Sequence, residues 1–231
     1  MVRKKAVAAM RSTGLRIEAI LFDIDGTLVD SVPVAERTWR TSPADMVWRL
    51  RKSCKAATVV ETRTPCRCSF RAAPCQLQCK EILEMELSDL VDISALPGAA
   101  ELLERLPAGR WAAVTSGPRV LMEARLRSAG LPVPEVLITA EDVRGGKPDP
   151  ECFLLAAAEL GVQPADCVVV EDAPAGVAAG CAASAVTLAV TTSHPLAELN
   201  EAHAVLTDLT RITVDMADDG LVLRLSSVEL C

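Results

Sequence analysis

Short apolar runs, each ending at a polar residue or cluster, recur along the chain. Ile17 to Phe22 reads IEAILF and stops at Asp23. Trp111 to Val114 reads WAAV and stops at Thr115-Ser116-Gly117, and Glu135 to Ile138 reads EVLI. Cys167 to Val170 reads CVVV and runs into Glu171-Asp172; Ala185 to Val190 reads AVTLAV, and Ala204 to Leu206 supplies a sixth run. Strands of a parallel sheet covered on both faces have this character. Helical spacing fills the intervals. Val120 to Ala129 places Leu121, Ala124, Leu126 and Ala129 near one face, and Pro150 to Leu160 does the same with Phe153, Leu154, Ala157 and Leu160. Pro174 to Ala183 is alanine-rich, with Pro174 suited to a first turn, and Gly130 and Gly161 stand where helices need to stop. The alternation predicts an α/β fold with a Rossmann-like parallel sheet. In such sheets ligands bind at the carboxyl ends of the strands. Asp23, Thr115 and Asp172 all fall there.

The pattern breaks between Ser31 and Leu96. Val32 to Arg40 and Glu81 to Leu90 look helical, but Arg49 to Lys80 carries eight Lys or Arg against one acid, Glu61, with little periodicity. This predicts a tail over 1–16, a core from 17–30 and 97–231, and an insert over 31–96 that is atypical at 41–80. Cys54 to Cys79 is expected to be the least ordered stretch, since few aliphatics offset its ordering entropy.

The 231 residues, 50% of them hydrophobic, suffice for one large domain or a core with a small accessory one. A net charge of -7 argues against nucleic acid as a partner. No run reaches the roughly 18 apolar residues that a membrane span needs. The basic start, MVRKKAVAAMRSTG, reads as a frayed N-terminus, with a transit segment as the alternative. Nine cysteines without a secretion signal suggest a reducing cytoplasm. The oligomeric state stays open, with a monomer slightly favoured.

Four motifs carry chemistry. Asp23-Ile24-Asp25-Gly26 follows a strand, and its two carboxylates can face one site if the chain bends at Gly26. One can attack phosphorus, and the other can protonate the leaving alkoxide and later deprotonate water. The bland alternative is a solvated acidic turn. Glu171-Asp172 offers hard oxygen ligands suited to Mg²⁺, or simply acids at a helix N-terminus. Thr115-Ser116-Gly117 can hold phosphate oxygens or form an ordinary turn. Lys147, bracketed by glycines and prolines, can neutralise phosphoryl charge or be a surface lysine.

In order and spacing, DIDGTLVDS, VTSG, GKPDP and VVVEDAPAGV resemble the haloacid dehalogenase superfamily. The resemblance covers Ile17 to about Asp208 apart from the middle of the insert. It implies Asp23 as nucleophile, Asp25 as acid/base, Thr115 and Ser116 as phosphate-binding residues, and Lys147 as both catalytic and phosphate-binding. It implies Mg²⁺ held by Asp23, the backbone carbonyl of Asp25 and Asp172, with Glu171 close by, and a helical cap inserted after the first strand. The implied activity is a phosphatase acting on a small phosphorylated metabolite, a sugar or polyol phosphate. The mutase branch, represented by β-phosphoglucomutase, carries a histidine in the first cap helix where this chain has Ala35. A mutase is therefore the runner-up. The two histidines, His194 and His203, are expected in loops or at a helix cap, away from the chemistry. Dehalogenation needs neither Asp25 nor the metal acids.

Thr41 to Lys80 falls outside the resemblance. Zinc on Cys66, Cys68, Cys75 and Cys79 is one reading of it, although the spacing is unusual for zinc. Bursts of Arg, Cys, Pro and Ser also arise when a GC-rich gene is read in the wrong frame. We read the stretch as a frame error or an unusual exon, which would leave a catalytically impaired homologue with a defective cap as a further alternative.

Overall fold

The computed structural model describes residues 2–41, 73–217 and 220–226. The chain divides into two compact units, residues 1–30 with 94–231, and residues 31–93.

The larger unit is built on a six-stranded parallel sheet. Its strands are β2 (Ala19–Phe22), β5 (Trp111–Val114), β6 (Leu137–Ile138), β7 (Cys167–Glu171), β8 (Val186–Val190) and β9 (Ala204–Leu206). Their order is β6-β5-β2-β7-β8-β9. After β2 the chain builds β5 and β6 on one side, then crosses to β7 on the other. The ends of β2, β5 and β7 therefore frame a topological switch point, the place where such sheets bind ligands. Ile20, Leu21, Phe22, Val168, Val169 and Val170 are all buried, as a central strand covered on both faces demands. Alternation puts Leu21, Ala112, Val114 and Val169 on one face. There they join Phe153, Ala156 and Ala157 of one helix and Ala179 and Ala183 from the chain that follows β7. Burying a phenylalanine of this kind contributes roughly 1.5–3 kcal/mol. Helices α6 (Glu151–Glu159) and α7 (Pro174–Ala182) pack on the sheet, and the chain also forms α4 (Ala99–Glu104) and α5 (Arg119–Ser128).

All six strands stand where the apolar runs place them, with one correction. The run over 17–22 is two strands, since Leu15–Ile17 (β1) pairs instead with β11 (Gly220–Leu225). Glu18 is the polar break. Its N–H donates to the Asp166 carbonyl at 2.8 Å and its carboxylate pairs with Arg110, so the chain changes sheets there. Strand β10 (Ile212–Ala217) completes a three-stranded antiparallel sheet of order β1-β11-β10 that the sequence reading missed. In it Ile212 and Val214 are buried while Thr213 and Asp215 are exposed, the alternation of a half-buried strand rather than a continuous apolar run. The N-terminal residues expected to fray form α1 (Val2–Ser12), with Ala6, Val7 and Met10 buried and the helix packed against β1 and β11. That sheet gives the short apolar stripe of α1 something to cover.

Strands β3 (Val29–Asp30) and β4 (Ser94–Ala95) pair antiparallel, so the chain leaves and rejoins the larger unit through neighbouring strands. The smaller unit holds α2 (Val32–Thr41) and α3 (Ala73–Ser88). Arg37 of α2 forks onto Asp89 at 2.7 and 3.0 Å and reaches Asp92 at 2.9 Å and the Val91 carbonyl at 2.6 Å. Helix α3 begins earlier than Glu81 and takes in Cys75 and Cys79. Residues 42–72 lie outside the described residues. The expectations for Cys66 and Cys68, and most of those for disorder or a frame error, fall on them.

Candidate active site

Four loops at the carboxyl ends of the parallel strands assemble the site. Asp23 is the first residue past β2, and its N–H extends the ladder by donating to Val170 at 3.0 Å. Thr115 stands one residue past β5 and donates its N–H to Ile138 at 2.9 Å. Backbone pairing thus fixes both positions before any side chain contributes.

Lys147 is the hub. Its ammonium, almost fully buried, donates to Asp23 Oδ1 at 2.5 Å, to Glu171 Oε1 at 2.6 Å and to the Val114 carbonyl at 3.0 Å. It also lies 5.2 Å from the centre of the Phe153 ring. Burial alone would lower its affinity for a proton, but Asp23 and Glu171 outweigh that and raise it, so Lys147 stays charged. The second oxygen of Glu171 accepts the N–H groups of Asp172 and Ala173, each at 2.9 Å. Burial acts to raise the Glu171 carboxyl, yet Lys147 and these two N–H groups hold it below its usual range.

The remaining acids are short of such compensation. Burial pushes the Asp23 carboxyl up to about 7, Lys147 pulling down while Glu171 and Asp25 add to the rise. Asp172 is raised well above its usual range by burial and by repulsion from Glu171 and Asp23. Asp23, Glu171 and Asp172 offer oxygens within 4.8 Å of one another, all buried. Three carboxylates face one ammonium, and a hard divalent cation would offset that excess of negative charge. The donor set fits Mg²⁺.

Two glycines permit this crowding. Gly26 adopts φ +87°, and a Cβ there would collide with the Asp172 carboxylate. Gly176 lays the first turn of α7 against the Glu171 carboxylate, where a Cβ would overlap it outright. The glycines of DIDGT and EDAPAG are therefore part of the acid cluster's packing.

Of the residues expected from sequence, Asp23, Lys147, Glu171 and Asp172 meet directly. The Thr115 hydroxyl accepts the Gly117 N–H at 3.0 Å, and Ser116 beside it is exposed. Asp25 pairs with Arg125 of α5, Oδ1 to Nη1 at 2.7 Å, a partner the sequence reading did not name. The loop after β8 was missed as well. Ser193 donates to the Asp172 carboxylate and Thr192 to the Gly26 carbonyl. His194, expected away from the chemistry, places Nδ1 2.8 Å from the Ser193 hydroxyl and 3.1 Å from the Asp172 carbonyl. The cue was positional, since Thr192, Ser193 and His194 follow an apolar run as Thr115 and Asp23 do. His203 accepts the Thr187 N–H at 3.1 Å, a structural role.

A family model for haloacid dehalogenase-like hydrolases matches residues 17–184. The chain belongs to that family. This hydrolase is 41% identical over 221 residues to hexitol phosphatase A of Escherichia coli (strain K12), an alignment covering 90% of this chain and 99% of the relative. It is 36% identical over 200 residues to the validoxylamine A 7'-phosphate phosphatase of Streptomyces hygroscopicus subsp. limoneus, covering 83% and 94%. Among solved structures, a hydrolase from Pseudomonas syringae superposes with a TM-score of 0.65 at 26% identity, covering 84% of this chain and 94% of that one. Both sequence relatives are phosphatases by name, in keeping with the phosphoric monoester hydrolase that the motifs lead one to expect. Among the described residues no helix is long and apolar enough to cross a membrane.

Proposed function

We propose that this protein is a Mg²⁺-dependent phosphatase that hydrolyses a small sugar or polyol phosphate through an aspartyl-phosphate on Asp23. The observation that carries the reading is Lys147 bonded at once to Asp23 and Glu171, beside Asp172, at the switch point of the sheet. The kinship to hexitol phosphatase A supports the substrate class.

In this reading an Asp23 oxygen attacks phosphorus as the bond to the leaving oxygen breaks, and Asp25 gives its proton to that oxygen. Asp25, now a carboxylate, takes a proton from water as the water oxygen attacks the phosphorus of the aspartyl-phosphate. The Asp23 carboxylate and inorganic phosphate are the products. Lys147 holds Asp23 in line and adds positive charge beside the transferring group, while Glu171, with both oxygens engaged, holds Lys147. Thr115 and Ser116 are assigned to the phosphate oxygens. Asp23, Asp172 and the Asp25 carbonyl, with Glu171 adjacent, would hold Mg²⁺, which when bound offsets phosphoryl charge as a Lewis acid. The smaller unit serves as the cap that selects substrate, and the reaction is assigned to the cytoplasm.

The test is release of inorganic phosphate from a panel of hexitol and sugar phosphates with Mg²⁺, then after EDTA and re-addition of Mg²⁺. Activity lost with EDTA, restored by Mg²⁺ and absent in Asp23→Asn is expected. Turnover that survives in Asp23→Asn would refute the mechanism.

A further inference from the structure

Arg125 occupies a position where a helix packed on a sheet would ordinarily carry an aliphatic residue. It shares the buried side of α5 with Leu121, Met122 and Leu126, and its side chain is only 6% exposed. Removing a guanidinium from water costs several kcal/mol unless a well-placed anion answers it. The group set against it is the Asp25 carboxyl, whose Oδ1 lies 2.7 Å from Arg125 Nη1, a close ion-pair contact rather than an aligned hydrogen bond.

The backbone around Asp25 is already fixed. Leu28 and Val29 donate N–H groups to the Ile24 carbonyl, each at 2.9 Å, and Gly26 donates to the Val29 carbonyl at 2.8 Å. What the loop leaves undetermined is the turn of the Asp25 carboxyl about its own two side-chain bonds. A planar guanidinium, held in a buried helix face, is suited to fixing that turn. We propose that Arg125 is a positioning residue for Asp25, holding Oδ1 so that the proton given to the leaving oxygen travels from Oδ2. This rests on the phosphatase reading above. The route from Arg125 to the chemistry runs through Asp25. The effect of Arg125 should therefore appear only where the leaving oxygen needs a proton.

Phenyl phosphate and 4-nitrophenyl phosphate make the test, because they are nearly alike in shape and differ in leaving-group basicity. Arg125→Met keeps the unbranched apolar stem of the side chain and removes the guanidinium. It is expected to lower kcat on phenyl phosphate about 10- to 100-fold more than on 4-nitrophenyl phosphate, as a misplaced catalytic group would. KM should change little. Asp25→Asn should show the same skew more strongly, and the double variant should be no more skewed than Asp25→Asn alone. If Arg125→Met does not fold, Arg125→Lys decides, since lysine keeps the charge and lacks the fork. A skew in Arg125→Lys supports the proposal. Equal losses on both esters, or a skew that adds to that of Asp25→Asn, would overturn it and leave Arg125 as a structural ion pair. Should wild-type protein hydrolyse neither aryl phosphate nor any hexitol phosphate, the phosphatase reading itself fails, and the proposal with it. Wild-type activity with a skew in Asp25→Asn but none in Arg125→Met defeats this proposal alone.

Discussion

The Lys147 ammonium bridges Asp23 and Glu171, at 2.5 and 2.6 Å, and spends its remaining proton on the Val114 carbonyl. One buried cation thus stands against Asp23 and one of two buried neighbouring acids. Lys147→Met removes it and leaves the carboxylates to repel one another. Breaking a buried ion pair typically costs about 3–5 kcal/mol. Losing a charge aimed at the reacting group costs roughly 10²–10³ in rate. A lower thermal midpoint in divalent-free buffer, together with a kcat reduced by that order, is the expected outcome. Circular dichroism melts and phosphate-release assays on the same preparation would show it.

Asp23→Asn should leave a folded protein without turnover. Asparagine fits the space, and it relieves the repulsion that keeps the Asp23 carboxyl raised to about 7. The variant is therefore expected to melt no lower than wild type in EDTA at pH 8. Phosphate release above the buffer blank would contradict its role as nucleophile.

How far the sequence could be read follows from where the information lies. Cys167-Val168-Val169-Val170 and Trp111 to Val114 declare themselves because strands buried on both faces carry no polar residues to dilute the signal. Asp23, Glu171 and Asp172 declare themselves as acids at strand ends, and Lys147 through the GKPDP loop that stands in order with them. Arg125 does not, since a helix-face count sees Leu121 and Leu126 and has no way to know that the residue between them meets Asp25. Ser193 is hidden likewise, because serine after a strand is common and its bond to Asp172 depends on how β8 lies beside β7. Strand β10 escapes because its first four residues alternate buried and exposed, whereas β11, GLVLRL with a single charged residue, is an apolar run that was passed over.

Asp25→Asn should hurt esters of basic leaving groups most. An alkoxide must be protonated as it departs, while nitrophenolate leaves without help. General acid assistance is typically worth about 10²–10⁴-fold. A hexitol phosphate should lose that order in kcat, and 4-nitrophenyl phosphate far less. Equal losses would remove Asp25 from the leaving-group step.

Gly26→Ala should abolish Mg²⁺-dependent activity by displacing Asp172 rather than by touching substrate. The added Cβ collides with the Asp172 carboxylate, and φ +87° is strained for alanine besides. Thr192 binds the Gly26 carbonyl, so movement of the loop is passed to the strand-β8 loop. Loss of kcat and of the Mg²⁺-induced rise in melting temperature should go together. A variant with normal Mg²⁺ response would show that the loop tolerates the methyl group.

Ionisation of Asp23 is opposed by its burial, and this fixes the sign of a pH effect. Its carboxyl is raised from an ordinary 3.8 to about 7, and Asp172 is raised too. Between those values the folded protein binds more protons than the unfolded chain. The stability these groups contribute is fully present below 3.8 and is lost as pH rises through the folded value. Glu171 acts oppositely: held below its ordinary 4.5, it contributes stability above that value that is lost as pH falls through its folded one. From pH 5 to 8, then, Asp23 and Asp172 set the direction. In EDTA the melting temperature should fall across that interval. Mg²⁺ requires the ionised carboxylates, so its stabilisation should be larger at pH 8 than at pH 5. At a hundred times its dissociation constant it should approach about 2.7 kcal/mol. Asp23→Asn serves as the control, and it should flatten the EDTA profile and blunt the Mg²⁺ response. Melts at pH 5, 6, 7 and 8 with and without Mg²⁺ make the measurement. A Mg²⁺ response equal at all four pH values and undiminished in Asp23→Asn would place the ion away from these acids.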